Sequence, residues 1–313
     1  MTTKTALICG SLAFDKIMQY HGRFSEALLA DQLHKVNVSF LVPTLRTEYG
    51  GCAANVAYNL HLLGGDPLIM ATIGQDGGEY LQRFEKQGIS TRGIKTIEHT
   101  YTAQCFVTAD QDNNQINAFH PGAMEFAHEN NVADMGPLRV VIIGPDGRGG
   151  MLKHARDCAA LGIPFMFDPG QQLPMFNGAE LTQFIEQATY LACNDYEFEM
   201  LTGRTGLTLA QIASRLDALI ITRGDKGSEI YAGGQRFDIP TVQAASVVDP
   251  TGCGDAYRAG LLYGITHDLD WPTTGRIASL LGAIKIASQG GQNHSFTRAD
   301  IAARFQSAFG YSF

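Results

Sequence analysis

The sequence predicts an α/β fold with a central, mostly parallel β-sheet, helices on both faces of that sheet, and a second, small β-sheet. Short apolar segments alternate with helical segments through the second half of the chain, which is typical of parallel sheets joined by helices. Segments in the first half alternate polar and apolar residues and fit a half-buried sheet. The 313 residues show no repeat, linker or low-complexity tract, so a single domain over residues 1–313 is the simplest organisation.

The composition indicates a compact globular protein that binds small molecules. Hydrophobic residues make up 45% of the chain, charged residues 17%, and the formal net charge is −8. Because lysine and arginine form no cluster, neither nucleic acid nor an anionic membrane is predicted as a partner. The six cysteines are scattered, and the apolar run at residues 6–9 is too short for a signal peptide. We therefore expect a cytoplasmic protein with reduced thiols and no membrane span.

The first half of the chain contributes one buried strand, one clear helix and the small sheet. The buried strand is expected at residues 5–9, and Asp15 follows it closely, as at a site beside the carboxyl end of a strand. Gly50 and Gly51 precede a helix whose apolar residues recur at intervals of four and three before a glycine pair ends it. The strands of the small sheet are predicted at residues 36–49, 101–108 and 115–120.

The second half alternates buried strands with helices. Apolar runs bounded by turn residues predict the strands, and periodicity near 3.6 residues predicts the helices. We place strands at residues 138–143, 164–167, 190–193 and 219–222, and helices at residues 150–161, 256–265 and 273–287.

The stretch from Asp249 to Asp255, with the sequence DPTGCGD, leads directly into a helix and carries the strongest chemical signal. Two glycines at a helix start allow backbone N–H groups to surround an anion, and the helix dipole adds positive potential. Asp255 would be a poor phosphate ligand there, but it is well placed to accept the proton of an attacking hydroxyl. The combination indicates a kinase; the alternative is a glycine loop capped by Asp249 with a solvated Asp255. Arg258, one turn further on, is expected either to be exposed or to pair with a phosphate or with Asp255.

Other reaction types have weaker signals. The chain has no Gly-x-x-x-x-Gly-Lys-Ser/Thr sequence, so a P-loop kinase is not predicted, and it lacks the glycine spacing of a Rossmann dinucleotide site. Its nine histidines show no metal-ligand spacing.

The DPTGCGD stretch resembles the C-terminal signature of the ribokinase or PfkB family of carbohydrate and nucleoside kinases, with Cys253 in place of the usual alanine. This resemblance implies a ribokinase-like fold in which Asp255 is the general base. It also implies that Gly252, Cys253 and Gly254 form the pocket for the transferred phosphate. The small sheet, inserted at about residues 12–49 and 96–123, would be a lid that excludes water.

Two further family motifs imply a site for the phosphate acceptor. Asp15 stands where the family has an aspartate that grips two sugar hydroxyls, and a solvated turn aspartate is the alternative. Gly50, Gly51 and Asn55 match the family's second glycine signature, in which Asn55 would bind vicinal hydroxyls. An ordinary hinge followed by a helix cap has the same sequence features.

The remaining motifs resemble the nucleotide site of the family. Asn194 and Glu197 match an Asn-x-x-Glu motif whose glutamate orients Mg²⁺ through water, although a helix capping box has the same pattern. The stretch that includes Asn293 corresponds to the place where the family closes the adenine pocket and often holds a monovalent cation. ATP and Mg²⁺ are the implied cofactors, and K⁺ is a further candidate. The residues implied to contact the ATP phosphates and ribose, which would also suit a plain hairpin turn, are Thr222, Gly224 and Gly227.

Within the family, the sequence looks similar to bacterial adenosine-kinase-like, broad-specificity nucleoside kinases, because of residues 117–124 and the FDPGQ run at residues 167–171. An aromatic and methionine-containing lid suits a flat base, although the same residues could simply form the core of the lid. The implied substrate-binding residues are Phe106, Phe119, Met124 and Gln171.

The expected reaction is therefore ATP-dependent phosphorylation of the 5′-hydroxyl of a nucleoside such as adenosine, inosine, guanosine or cytidine. A kinase for ribose or fructose is the alternative within the family. A binding-only sensor of nucleoside or ATP is the alternative of another class, and the intact Asp255 argues against it. A homodimer through the exposed edge of the lid is a candidate assembly.

Overall fold

The structure is a computed structural model that describes residues 3–28, 35 and 37–313. Its strands are β1 (Thr5–Cys9), β2 (Ala13–Gln19), β3 (Thr44–Gly50), β4 (Asp66–Gly74), β5 (Ile94–Ile97), β6 (Ala103–Ala109), β7 (Gln115–His120), β8 (Val140–Ile143), β9 (Phe165–Phe167), β10 (Tyr190–Asn194), β11 (Ala218–Thr222), β12 (Ser228–Ala232) and β13 (Gln235–Ile239). Its helices are α1 (Phe24–Ala27), α2 (Cys52–Leu62), α3 (Gly78–Gln87), α4 (Arg148–Leu161), α5 (Gly178–Gln187), α6 (Asp195–Thr205), α7 (Leu209–Ala213), α8 (Cys253–Thr266), α9 (Trp271–Lys285) and α10 (Arg298–Phe309). In this part of the chain, no helix is long and apolar enough to cross a membrane.

The main sheet has the strand order β13-β12-β11-β10-β9-β8-β1-β4-β5. The neighbouring pairs from β11 to β5 are parallel, whereas β12 and β13 add an antiparallel edge. The chain builds outward from β1 through β4 on one side and returns to β8 on the other side. In open parallel sheets, ligands bind outside the carboxyl ends of the strands at such a change of direction.

Strand β1 shows why helices cover both faces of the main sheet. Ala6 and Ile8 pack into a core that includes residues of α2, α8 and α9, while Leu7 and Cys9 pack into a second core with residues of α4 and α5. Because successive residues of a strand face opposite sides, a strand that is apolar throughout requires a layer on each face. The predicted α/β architecture is confirmed.

The small sheet has the strand order β3-β2-β6-β7. Strand β2 pairs with β6 in parallel, and the two outer pairs are antiparallel. The strands predicted at residues 101–108 and 115–120 correspond to β6 and β7, so the prediction of a separate sheet is confirmed.

The strand predicted at residues 36–49 is only partly correct, because β3 begins at Thr44. Val36 lies outside the described residues, and residues 37–43 are irregular. Pro43 directly precedes β3 and has no N–H group to donate to a ladder, so the first position before a strand suits it. The alternation in residues 37–42 therefore does not produce a strand.

Candidate active site

A cavity of about 760 Å³ lies between the carboxyl edge of the main sheet and the small sheet. It is lined by Ser11 after β1, Asp168 after β9, Asn194 at the end of β10 and Thr222 at the end of β11. The first turns of α2 and α8 line it as well. A cavity of this volume accommodates small organic ligands.

The structure brings most of the predicted site residues together in this cavity. Its lining includes Asp15, Gly51, Asn55, Phe119, Met124, Gln171, Asn194, Glu197, Thr222, Gly252, Gly254 and Asp255. The predicted residues that do not line it are Gly50, Phe106, Cys253, Gly224, Gly227 and Asn293. The Cys253 thiol instead lies 3.9 Å from the main-chain oxygen of Asp249, and the Cys253 N–H donates to the Pro250 oxygen at 3.1 Å.

The turn before α8 has the geometry of an anion site. Gly252 directly precedes the helix with a φ of 78°, which favours glycine. Asp249 holds the turn, because its Oδ1 accepts from the Thr251 N–H at 2.9 Å and its Oδ2 from the Gly290 N–H at 2.8 Å. Although burial acts in the opposite direction, these hydrogen bonds lower the pKa of Asp249. The first N–H groups of a helix lack partners within the helix, and with the helix dipole they favour an anion here.

Asp255 in the first turn of α8 is held by Asn55 in the first turn of α2. Asn55 Nδ2 donates to Asp255 Oδ2 at 2.8 Å, and Asn55 Oδ1 accepts from Gln292 Nε2 at 3.0 Å. Gln292 also donates to the Tyr80 hydroxyl at 2.8 Å. Since Asn55, Gln292 and Tyr80 are all buried, this chain of hydrogen bonds fixes which end of the Asn55 amide faces Asp255.

The surroundings of Asp255 suit a general base. Burial, together with the charge of Asp168, raises the pKa of Asp255 to about 6, against the opposing effects of the Asn55 hydrogen bond and Arg258. The carboxylate is therefore ionised at neutral pH, but it is a stronger base than a solvated aspartate. A group in this state can accept the proton of a hydroxyl as that hydroxyl attacks.

Asp15 reaches the cavity from β2 of the small sheet. Burial, followed by the charge of Glu48, raises the pKa of Asp15 to about 6. A Cβ atom on Gly50 would lie 2.7 Å from Asp15 Oδ2, so Gly50 makes room for this carboxylate and does not itself line the cavity. Gly51 has a φ of 95°, and a Cβ atom there would collide with the main-chain oxygen of Ser11. The glycine pair thus lets the start of α2 approach both β2 and the end of β1.

Asn194 and Glu197 form a capping box at the start of α6. Asn194 Oδ1 accepts from the Glu197 N–H at 2.7 Å, and Glu197 Oε2 accepts from the Asn194 N–H at 2.8 Å. Both residues also line the cavity, so the structural and the functional interpretations of this motif are compatible. Burial raises the pKa of Glu197, and the cap uses only one of its two carboxylate oxygens.

The residues predicted to contact ATP are only partly brought together. Thr222 lines the cavity, but Gly224 and Gly227 lie in the turn between β11 and β12 and do not. Their φ angles of 56° and 85° explain the two glycines by the shape of the turn. Asn293 also lies outside the cavity lining, because its Nδ2 donates to Glu48 Oε2 at 2.7 Å.

The structure does not support the prediction that Phe106 contacts the substrate, because Phe106 and Phe119 lie on opposite faces of the small sheet. Phe119 pairs with Cys105 across β6 and β7, and both residues line the cavity. Asn117, two residues from Phe119, lines it too. Since successive residues of a strand alternate in direction, Phe106 points away from the face that carries Cys105.

An ion pair between Asp168 and Arg258 is a feature of the cavity that the sequence did not reveal. Arg258 Nε donates to Asp168 Oδ2 at 3.1 Å and its Nη2 to Oδ1 at 2.9 Å, with both side chains buried. This corrects the expectation that Arg258 is exposed or pairs with a phosphate or Asp255. Asp168 directly follows a buried strand, which is a signal that could have identified it. The other lining residues that were not predicted are Ser11, Ala13, Cys52, Cys105, Asn117, Pro145, Gly170, Gln172 and Thr251.

Comparisons with known proteins point to the same family that the motifs of the sequence resemble. Residues 11–298 match the family described as pfkB family carbohydrate kinase. A nucleoside kinase of Methanocaldococcus jannaschii is 31% identical over 272 residues, which cover 86% of this chain and 89% of that protein.

Solved structures agree in fold. The nucleoside kinase of Burkholderia thailandensis in complex with inosine is 52% identical and covers 98% of this chain and 99% of its own, with a TM-score of 0.89. Its complex with ADP-inosine is 53% identical, with coverage of 98% and 97% and a TM-score of 0.87. A ribokinase of Thermotoga maritima, at 18% identity, 97% and 99% coverage and a TM-score of 0.80, shares the fold. The chain belongs to the PfkB family of carbohydrate kinases, and its fold is ribokinase-like.

Proposed function

We propose that this kinase transfers the γ-phosphoryl group of ATP to the 5′-hydroxyl of a nucleoside, with Asp255 as general base. The observation that carries the proposal is the position of Asp255, inside the cavity and in the first turn of α8, beside Gly252 and Gly254. A nucleoside is favoured over a free sugar as the acceptor, because the nucleoside kinase of Burkholderia thailandensis, which is 52% identical over nearly the whole chain, was solved with inosine. The structure of the same relative with ADP-inosine supports a nucleotide as the second substrate.

The proposed step needs a base and a positioned hydroxyl. Asp255 accepts the proton as the 5′-oxygen attacks the γ-phosphorus in line with the leaving oxygen of ADP, and the bond between that oxygen and the γ-phosphorus breaks. Asn55 holds the Asp255 carboxylate by the 2.8 Å hydrogen bond and so orients it towards the hydroxyl. Positioning of this kind provides much of the rate enhancement in phosphoryl transfer, because the protein takes little part in the covalent chemistry.

Charge on the transferred group is stabilised by the start of α8. The backbone N–H groups of Gly252, Gly254 and Asp255 and the helix dipole provide preorganised positive potential at this point. Gly252 and Gly254 expose the backbone there, whereas the Cys253 N–H donates to the Pro250 oxygen at 3.1 Å within the turn.

The donor set of the cavity fits Mg²⁺ that is carried mainly by the nucleotide. Across residues 3–28, 35 and 37–313, no three His, Cys, Asp or Glu side chains are grouped as metal ligands. Glu197 keeps one carboxylate oxygen outside the capping box, whereas both oxygens of Asp168 bind Arg258. Mg²⁺ commonly keeps waters and takes one or two carboxylates together with phosphate oxygens, so Glu197 is its proposed anchor through water. When bound, Mg²⁺ neutralises charge on the β- and γ-phosphate oxygens.

The two substrates are assigned to opposite parts of the cavity. Asp15 accepts hydrogen bonds from the ribose hydroxyls, and Phe119 and Met124 hold the base, with Gln171 close to it. Asn194 and Thr222, at the carboxyl ends of β10 and β11, lie on the ATP side. The small sheet then acts as a lid over the nucleoside, which excludes water from the phosphoryl group. Every residue of its edge strand β7 is exposed to some degree, and this edge is the surface proposed for a homodimer.

The activity is tested by measuring ADP release with Mg²⁺-ATP and a panel of acceptors. The panel contains adenosine, inosine, guanosine, cytidine, ribose and fructose. Turnover with nucleosides but not with free sugars supports the proposal. Turnover with a sugar alone would assign the protein to the sugar-kinase branch, and no turnover with any acceptor would favour a binding-only sensor.

A further inference from the structure

Lys285, the last residue of α9, carries a charge in the interior of the protein. Its side chain is fully buried, and its ammonium group donates to the main-chain oxygens of Asp249 at 2.8 Å and Ser288 at 2.9 Å. Burying an ammonium group is unfavourable unless it is well hydrogen-bonded or paired. A lysine in this position therefore needs an explanation beyond filling space.

The two carbonyl groups belong to the two segments that form the anion site. Asp249 begins the turn that leads to α8, and Ser288 begins the loop that follows α9. The same segments are joined by the hydrogen bond from the Gly290 N–H to Asp249 Oδ2 and by those from the Val248 and Asp249 N–H groups to the Ile286 oxygen. Lys285 thus adds a charged link at the centre of this junction.

The Lys285 side chain also lies beside Gly252, at the start of the proposed phosphate site. The Lys285 Cε atom is 3.7 Å from the point that a Cβ atom on Gly252 would occupy. Burial lowers the pKa of Lys285, while the neighbouring Cys253, Asp249 and Asp255 oppose this effect. The charged form is consequently supported by the acidic groups of the turn that it holds.

We propose that Lys285 is a positioning residue for phosphoryl transfer, and that its ammonium group serves as a built-in monovalent cation that locks the 249–255 turn against the loop after α9. This inference rests on the proposed kinase reaction. Main-chain carbonyl oxygens are the ligands with which proteins replace the hydration shell of K⁺, and here two carbonyl oxygens of the junction are already bound to an ammonium group. The enzyme therefore turns over without added K⁺.

The first test uses the unmodified protein. ADP release with a nucleoside is measured in KCl and in tetramethylammonium chloride at equal ionic strength. The expected rates agree within about twofold, since a tetramethylammonium ion is too large to occupy the junction and the protein supplies its own cation. A wild-type rate that depends on K⁺ would overturn the inference.

The second test is Lys285→Met, whose side chain is one atom shorter, so that it removes the charge and leaves the position of the ammonium group open. We expect kcat to fall by about ten- to a hundredfold in tetramethylammonium chloride, with little change in the KM of the nucleoside, because the variant loses the positioning of the 249–255 turn at the transferred group. Ammonium or K⁺ ions should restore part of the lost kcat. Lys86→Met, at an exposed position on α3, is the matched control and should change neither quantity. Unchanged kcat in Lys285→Met, or a loss that no small cation restores, would contradict the proposal.

A binding readout separates this inference from the proposed function. The melting temperature of Lys285→Met without substrates should rise when tetramethylammonium is replaced by ammonium or K⁺, whereas that of the wild type should not. This shift tests the cation site even if the wild type phosphorylates none of the acceptors, a result that would refute only the proposed function. If Lys285→Met does not fold, the comparison of wild-type rates in KCl and tetramethylammonium chloride still shows whether the enzyme needs K⁺.

Discussion

Asn55 Nδ2 donates a 2.8 Å hydrogen bond to Asp255 Oδ2 and thereby joins the first turns of α2 and α8, two elements that are 200 residues apart in the sequence. The bond links the two glycine-preceded helix starts of the chain into one site. It stabilises the ionised form of Asp255 and fixes its direction. The first prediction follows from this pair.

Replacing Asn55 by alanine should slow catalysis and change its pH dependence. A hydrogen bond to a charged group contributes about 1.5–3 kcal/mol, so kcat should fall roughly ten- to a hundredfold. Because the lost bond lowers the pKa of Asp255, the acid limb of the kcat profile should move to higher pH than in the wild type. The control is Asn114→Ser in the turn after β6. Asn59→Ala, one turn further along α2, is less suitable because Asn59 is buried and hydrogen-bonded to His294. An acid limb that stays in place would argue against the role of Asn55.

The wild-type kcat profile should itself fall on the acid side with a midpoint near pH 6. The carboxylate of Asp255 accepts the proton only when ionised, and its pKa is raised to about 6. The profile of kcat/KM should be steeper, because Asp15 in the same cavity also has a pKa of about 6. If kcat and kcat/KM stayed constant down to the ordinary pKa of aspartate, the roles assigned to Asp255 and Asp15 would both be contradicted.

The raised pKa of Asp255 also predicts a stability effect of opposite sign to the catalytic one. A carboxyl group whose pKa is higher in the folded than in the unfolded protein favours folding in its protonated form, so its contribution is lost as the pH rises from about 4 to about 6. Asp255→Asn removes this penalty and should be more stable than the wild type at neutral pH, by on the order of 1 kcal/mol, and not at pH values below 4. Urea denaturation at both pH values measures the difference. The account would be contradicted if Asp255→Asn gained no stability over the wild type at neutral pH, or if its gain were larger below pH 4.

The two phenylalanines of the small sheet provide a matched pair of variants. Phe119→Ala should raise the KM of the nucleoside by about ten- to a hundredfold, since stacking on a base contributes about 1–3 kcal/mol. Phe106→Ala removes the same side chain from the other face of the sheet and should leave the KM unchanged. The side chains are similarly exposed, at 49% and 40%, so exposure does not distinguish them. Equal effects of the two changes would show that Phe119 does not hold the base.

The buried pair of Asp168 and Arg258 should dominate the stability of the cavity wall. Asp168→Ala leaves the guanidinium group buried without its partner and should lower the free energy of unfolding by about 3–5 kcal/mol. The double variant Asp168→Leu/Arg258→Met should recover most of this loss, because it removes both charges together. Urea denaturation of the three proteins measures the effect. A single variant that costs less than about 1 kcal/mol would mean that water or another group replaces Asp168.

Local patterns in the sequence were sufficient to predict the fold and to place Asp255 at the start of a helix. The alternation of buried strands and helices predicts the sheet, and the DPTGCGD stretch predicts the position of Asp255 because a glycine pair, a helix start and an acid are adjacent in the chain. Pairings over long distances were not accessible in this way. Asp168 and Arg258 are 90 residues apart, and Tyr80 and Gln292 are 212 apart, so only the folded chain shows that they meet.

The face on which Phe106 lies could not be predicted for a different reason. A strand with apolar residues on both faces does not show which face covers a ligand, since that depends on the register with neighbouring strands. The pairing of Cys105 with Phe119 places Phe119 on the face that lines the cavity. The sequence is ambiguous for Gly224 and Gly227 for a related reason, because a turn that requires positive φ and a loop that contacts phosphate use the same residue.

The most direct test of the central claim is to identify the product formed from inosine and Mg²⁺-ATP by ³¹P NMR, for the wild type and for Asp255→Asn. We expect the wild type to give a 5′-phosphomonoester of the nucleoside together with ADP. Asp255→Asn should form it about two to four orders of magnitude more slowly while binding ADP nearly as well in calorimetry, and Asp195→Asn, at an exposed acid on α6, should behave like the wild type. A phosphate on another hydroxyl, or a rate for Asp255→Asn close to that of the wild type, would contradict the assignment of Asp255 as the base of a nucleoside 5′-kinase.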